Sequence, residues 1–390
     1  MKNNKYILYA ISFLQGIVFY GAFSVVFRES RGLSLSQIFL LESIFVILML
    51  IFEVPWGIIG DKIGYKKTLV IAYGMFWLSK IIFYCSYSFM GFLIQSVTAA
   101  IAISGISGCD SALIYSSIDK SESDKVFGIY GSMSTAGFLI SALISGILVK
   151  ISIDLLALAT IIPYTLAFLL SFALKDNHKN EDEIHEGVHS ILESLKLAVT
   201  NKKIVGFVIA VAVLSETTHS ICVFFNQPLY IRSGIGLNWF GMLTALMQVA
   251  TFIAVRAHKV KRKIGERKLL NGAIFLVIAC NLFLIKNSIA LLTIALIFII
   301  EGAFALTQPI TETIKNESIS TSNRATILSA YAMIANITAA VVNMIISAAS
   351  KFSLEAAIAV CLLINIFALI PMKFYFNRKT STENKNNLEQ

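Results

Sequence analysis

The stretch Glu53-Val-Pro-Trp-Gly57-Ile-Ile-Gly60-Asp61-Lys62-Ile-Gly64-Tyr-Lys66-Lys67 carries the most specific local signal in the chain. It closes one long apolar run and opens the next across a short charged turn. Gly57 and Gly60, three residues apart, are expected to let two helices approach closely, and Gly64 to allow the tight turn between them. Asp61 places a negative charge where it can meet the positive N-terminal end of another helix. That is worth about 0.3–1 kcal/mol when exposed and up to about 2 kcal/mol when partly buried.

Outward from this turn the chain is a succession of apolar runs. Of the 390 residues 57% are hydrophobic and 14% charged, against roughly 25% charged in an ordinary soluble domain. Runs near 6–27, 38–60, 68–89, 91–115, 126–149 and 151–174 are followed by runs near 204–229, 239–257, 269–285, 289–312, 325–348 and 354–374. Each is close to the roughly 20 residues that cross a bilayer as a helix. The composition excludes disorder, and the unbroken runs exclude a barrel, whose strands alternate with period two. The expected class is an all-α membrane protein with about 12 transmembrane helices in two six-helix halves.

The net charge of +9 is a topology signal rather than a nucleic-acid footprint. With the N-terminus inside, six of the 32 Lys and Arg fall in outer loops (Arg28, Arg31, Lys150, Arg232, Lys286, Lys351). Lys80 and Arg256 lie within spans, which leaves 24 inside. This bias puts both termini in the cytoplasm of a plasma-membrane protein. All five cysteines lie in apolar runs without metal or disulfide spacing, so they read as packing residues and no metal site is expected. Lys2 and Lys5 precede the first run as in a signal peptide, but no A-x-A cleavage pattern follows, and a retained first span is expected.

The expected organisation is an N-terminal half over 1–174, a cytoplasmic linker over 175–203, a C-terminal half over 204–376 and a cytoplasmic tail over 377–390. The linker is polar, with His178, His185 and His189 among acids, and reads as solvated rather than metal-binding. In its later part Val188, Ile191, Leu192, Leu195 and Val199 have the spacing of an amphipathic surface helix. The halves echo each other. Gly32-Leu-Ser-Leu-Ser-Gln-Ile38 returns as Gly234-Ile-Gly-Leu-Asn-Trp-Phe240, and Lys62-Ile-Gly-Tyr-Lys-Lys67 as Lys263-Ile-Gly-Glu-Arg-Lys268, at offsets of 202 and 201. A duplicated six-helix unit of this kind commonly encloses a substrate site near mid-membrane.

The opening stretch resembles the G-x-x-x-D-R-x-G-R-K signature of the major facilitator superfamily, with Gly57, Asp61, Lys62, Gly64, Lys66 and Lys67 at the matching places. Lys62 and Tyr65 stand where the signature has Arg. The resemblance implies a conformational gate that also involves Glu53, just before the signature, and Arg324 at the start of span 11, the expected partner of Asp61. Ser107-Gly-Cys-Asp-Ser-Ala-Leu-Ile-Tyr115, Asn226-Gln-Pro228 and Arg324-Ala-Thr-Ile-Leu-Ser329 look like a Gram-positive, efflux-type branch. Span four lacks an Arg near Gln95, and span five has Gly137, Ser141 and Ser145 where drug antiporters typically show Gly-Pro; the small residues still permit close packing.

Ionisable groups inside spans cost roughly 2.5–3.5 kcal/mol each, so they are functional suspects. They are Glu42, Glu53, Lys80, Asp110, Glu216, His219, Arg256 and Glu301. In the superfamily fold spans 1, 4, 7 and 10 line the cavity, which assigns Asp110, Glu216 and Glu301 to cavity helices. Glu216 and Glu301 fall near the midplane as proton-coupling candidates, His219 shares a face with Glu216, and Asp110 braces the inner gate. Gln15, Asn226, Gln227 and Gln308 add polar cavity groups among phenylalanines, an amphipathic lining. Pro55 is expected to bend span two, and Lys80 either to snorkel or to bond Glu42. No P-loop and no nucleophile-base set occurs. The expected function is secondary active transport by alternating access, as proton-coupled efflux of amphipathic small molecules by a monomer, driven by the proton gradient without a cofactor. The alternatives are proton-driven uptake or flipping of a nutrient or lipid, and a non-transporting membrane sensor.

Overall fold

The computed structural model describes residues 3–118, 122–175, 202–319 and 324–388. Among them there is no strand, and twelve helical stretches are long and apolar enough to cross a membrane. Spans 1 to 6 are Asn4–Ser30, Leu35–Glu53, Tyr65–Cys85, Phe89–Ser117, Ser123–Leu148 and Ile153–Ser171. Spans 7 to 12 are Ile204–Arg232, Leu237–Ile264, Glu266–Leu284, Ala290–Glu317, Ile327–Ser350 and Leu354–Asn377. Each overlaps the apolar run expected at its place. Large apolar side chains such as Ile162, Leu291 and Phe367 stand exposed along the spans, which suits a lipid surroundings and not water.

By contacts the chain forms two compact units, Met1–Ile184 with Gly236–Leu246, and His185–Ile235 with Met247–Gln390. The expected linker helix and its histidines, within 176–201, lie outside the described residues. The last helix runs from Leu354 to Leu388, so helix continues past the expected tail boundary at 377. Pro55 lies inside one helix, Leu35–Ile63. In the first unit spans 1, 3, 4 and 6 bury a common core of Leu8, Ile11, Leu69, Tyr73, Leu113 and Ala167.

The internal repeat extends to backbone geometry. The glycines with positive φ, among the described residues, are Gly32, Gly64, Gly234 and Gly265, at +87°, +89°, +73° and +85°. They form two pairs at the offsets of the sequence echoes. Each marks the same kind of chain reversal: the Gly64 N–H returns to the Gly60 carbonyl at 3.0 Å, and the Gly265 N–H to that of Lys261 at 2.9 Å. A side chain would strain all four positions.

Each unit also ties its first span to its last by an ion pair at matching positions. Arg31 meets Asp154 at 2.8 Å and Arg232 meets Glu355 at 3.1 Å. The Arg31 side chain is 5% exposed and Asp154 50%, and the guanidinium lies 3.6 Å from the Tyr87 ring centroid and 4.9 Å from that of Phe27. Arg31→Ala should therefore lower thermal stability more than Asp154→Ala. The gap is about 1 kcal/mol, since the exposed acid contributes little while the covered cation loses its ring contacts as well. Equal losses in thermal unfolding would show that the rings add nothing.

Candidate functional site

The acidic patch of the second unit forms where span 7 changes helical type. Its α-helix Lys202–His219 gives way to a π-helix, Ser220–Phe225, and then to α-helix Asn226–Arg232. A π turn shifts every later side chain around the axis and is enriched at functional sites. Glu216 and His219 stand one turn apart, with Oε1 and Nδ1 3.6 Å apart; the carboxylate is 12% exposed and the imidazole 42%. The His219 ring sits edge-on to Phe224 at 5.4 Å. From span 10, the Glu301 carboxylate lies against the Cys222 thiol and within electrostatic range of His219.

The structure thus brings Glu216, His219 and Glu301 into one patch. Cys222, read in the sequence as packing, joins them; its place one turn beyond His219 was the available signal. Around the π turn the hydroxyls of Thr218 and Ser220 and the Oδ1 of Asn226 are buried without hydrogen-bond partners among the described residues. Unpaired buried polar atoms are costly unless a ligand or water meets them. Gln227 is buried and donates to the Val223 carbonyl at 3.3 Å. Gln308 is exposed, two turns beyond Glu301. Among the described residues no three His, Cys, Asp or Glu side chains converge at metal spacing.

Asp110 belongs to a different arrangement, inside the first unit. Its Oδ2 accepts from the Tyr130 hydroxyl at 2.7 Å, and its Oδ1 from the Ser111 N–H at 2.5 Å and hydroxyl at 3.1 Å. It fastens span 4 to span 5. The Gln15 carbonyl accepts the Tyr164 hydroxyl at 2.7 Å.

In the signature turn only one of the two glycines makes the expected close approach. A Cβ on Gly60 would come within 2.9 Å of the Cys109 sulfur, whereas one on Gly57 would meet nothing within 4 Å. The helix turns Gly57 outward, and it is Gly105 of span 4 that leaves room for Trp56, since a Cβ there would come within 3.0 Å of the indole. Asp61 accepts from the Tyr65 hydroxyl at 3.3 Å. Lys62, Lys67 and Glu53 are exposed and Lys66 half-buried. In the second unit Arg324 donates to the Asn316 carbonyl at the end of span 10, at 2.6 Å. Lys80 neither snorkels nor pairs with Glu42; it is buried, and its ammonium donates to the Tyr20 hydroxyl at 3.0 Å.

Comparison with known proteins gives one consistent result. The chain matches the family described as Major Facilitator Superfamily over residues 6–343 and 258–390. An uncharacterized MFS-type transporter of Methanocaldococcus jannaschii is 21% identical over 303 residues, 75% of this chain and 77% of the relative. The uncharacterized MFS-type transporter YxaM of Bacillus subtilis is 25% identical over 250 residues, 62% of either chain. Among solved structures, the nucleoside transporter NupG superposes with a TM-score of 0.77 at 13% identity, covering 96% of this chain and 98% of its own. A D-xylose-proton symporter gives 0.68 at 15%, covering 95% and 97%. At such identities these likenesses concern the fold.

Proposed function

The chain belongs to the Major Facilitator Superfamily, and from that premise we propose that it is a secondary active transporter working by alternating access, coupled to protons and exporting amphipathic small molecules. The supporting observation is the patch of Glu216, His219 and Glu301 at the π turn of span 7. A carboxylate that is covered in one state and wetted in the other binds a proton in the first and yields it in the second. In this reading Glu216 and Glu301 carry the proton and His219 passes it between them. Phe224 and Phe225 adjoin Asn226 and Gln227, a run of rings and amides that is buried in this state; in the proposed cycle the state that opens span 7 would present them to a substrate with both apolar and polar parts. The protein would sit in the plasma membrane as a monomer with both termini cytoplasmic, drawing on the proton gradient with no cofactor.

A second reading, proton-driven uptake of a polar nutrient, is favoured by the unpartnered Thr218, Ser220 and Asn226. The nucleoside transporter and the xylose-proton symporter share the fold. Growth of cells expressing the protein, against a panel of toxic compounds, separates the two. Export raises the tolerated dose of amphipathic compounds, by about tenfold for a good substrate, and the gain vanishes with a protonophore. Sensitisation to toxic nucleoside or sugar analogues would establish uptake instead, and protection that survives the protonophore would remove proton coupling.

A further inference from the structure

Span 1 is not a continuous helix. Its α-helix Asn4–Gly16 ends, the chain unwinds over Ile17 to Tyr20, and helix resumes as a 3-10 turn, Gly21–Phe23, and α-helix Ser24–Ser30. The break is bracketed by Gly16 and Gly21, which weaken the helix at its two ends, while Ile17-Val-Phe-Tyr20 itself holds neither glycine nor proline. An unwound turn inside a bilayer survives only where protein groups satisfy its backbone. Here the Val18 N–H donates to the Ser141 hydroxyl and the Phe19 N–H to the Thr160 hydroxyl, both at 3.1 Å. The Gln15 carbonyl is taken by Tyr164, as described above.

Locally the Gly21 N–H returns to the Val18 carbonyl at 3.0 Å and the Phe23 N–H to the Tyr20 carbonyl at 2.9 Å, and a further contact comes from Lys80 of span 3. Its ammonium grips the Tyr20 hydroxyl and lies 4.4 Å from the Phe76 ring centroid and 4.6 Å from that of Tyr164. Among the described residues no carboxylate pairs with it. Ring faces and a phenol oxygen hold this cation in place of a counter-ion. Tyr20 is further stacked on Phe83 at 4.1 Å.

The second unit supplies an internal comparison. At the offsets of the repeat, Lys80 corresponds to Asn281, Tyr20 to Cys222, Tyr164 to Asn365 and Gln15 to Thr217. Asn365 donates to Thr217 at 2.9 Å, as Tyr164 holds Gln15. The lysine, however, is replaced by a neutral amide whose side-chain atoms have no hydrogen-bond partner among the described residues. There the matching span keeps a helical form, the π turn, instead of opening.

We propose that Lys80 is a positioning residue: caged by Tyr20, Phe76 and Tyr164, it holds span 1 open at Ile17–Tyr20, so that the first unit keeps a preformed break where the second carries its π turn. Discontinuous helices form the substrate sites of many transporters of repeated architecture, so the proposal deepens the transport reading and rests on it. Hydrogen exchange of the full-length protein in lipid nanodiscs tests it. In Lys80→Met the amides of 17–23 should exchange about tenfold faster than in the unaltered protein, while peptides from spans 2 and 4 keep their rates. Lys80→Arg, which retains the cation and its ring contacts, should restore most of the protection. Where Lys80→Met does not accumulate, Tyr20→Phe removes only the gripped hydroxyl and should show the same local effect, about threefold. Unchanged exchange over 17–23, or equal acceleration in every span, would overturn the proposal. Neither outcome depends on Glu216 or Glu301, because exchange is read without transport.

Discussion

Under the proposed coupling, Glu216→Gln and Glu301→Gln should each reduce proton-driven transport by about a hundredfold or more while leaving the amount of inserted protein unchanged. Glutamine keeps the size of the side chain and an oxygen acceptor, and the Cys222 thiol keeps its own bond to the Ile297 carbonyl at 3.9 Å, so the helices keep their packing. What it removes is the group that takes up and releases a proton; a hundredfold loss corresponds to about 2.7 kcal/mol on the coupled step. The measurement is pH-gradient-driven transport into inverted vesicles, using a compound identified by the growth panel, with exchange of the same compound in the absence of a gradient as control. Exchange should survive in both variants. Full gradient-driven transport in both would discard the patch as the coupling site, and loss in one alone would assign the proton to that carboxylate and leave the other a packing role.

Gly137→Val should prevent the folded protein from accumulating. A Cβ at Gly137 would stand 2.2 Å from the Phe13 carbonyl oxygen, and one on the facing Gly16 2.1 Å from the Ser134 carbonyl oxygen. Both obstacles are backbone, so no side chain can rotate aside and spans 1 and 5 would have to separate. The same separation would break the bonds from Ser12 to the Tyr130 carbonyl and from Val18 to Ser141, at 2.9 and 3.1 Å. Overpacking of this kind costs about 3 kcal/mol or more, a large share of the stability of a domain. Gly131→Ala is the control: it lies in the same helix with nothing within 4 Å of its Cβ position, and should be neutral or slightly stabilising through helix propensity. Membrane abundance and thermal unfolding in detergent read both variants. Wild-type behaviour of Gly137→Val would show that the two spans do not pack closely.

The features legible in the sequence are those that local chemistry dictates. The length of apolar runs set the number and positions of the twelve spans, because a helix crossing hydrocarbon needs a fixed length whatever its neighbours. The two sequence echoes located the chain reversals that all four positive-φ glycines occupy. The placement of Glu216, His219 and Glu301 in spans 7 and 10 was likewise readable, since a buried charge stands out against an apolar run. The Glu216–His219 pair was legible as a shared helix face, but that Glu301 and Cys222 join it was not, because that depends on how span 10 packs against the π turn of span 7.

Tertiary structure alone decided the rest, and for one physical reason: which polar groups meet is set by how helices are rotated and how closely they pack. Asp110, grouped by span with the cavity acids, turned out to be held by Tyr130 of the next helix. Gly57 and Gly60 look equivalent in sequence, yet only Gly60 faces a neighbouring span. The backbone groups freed at the break in span 1 are met by Ser141, Thr160 and Tyr164, which are 123 to 149 residues away along the chain from the groups they hold. Lys80 shows the division most clearly. Its cost inside the membrane was evident from its position in an apolar run, but what offsets that cost is a cage of rings and a hydroxyl from spans 1, 3 and 6, assembled only once those helices have packed.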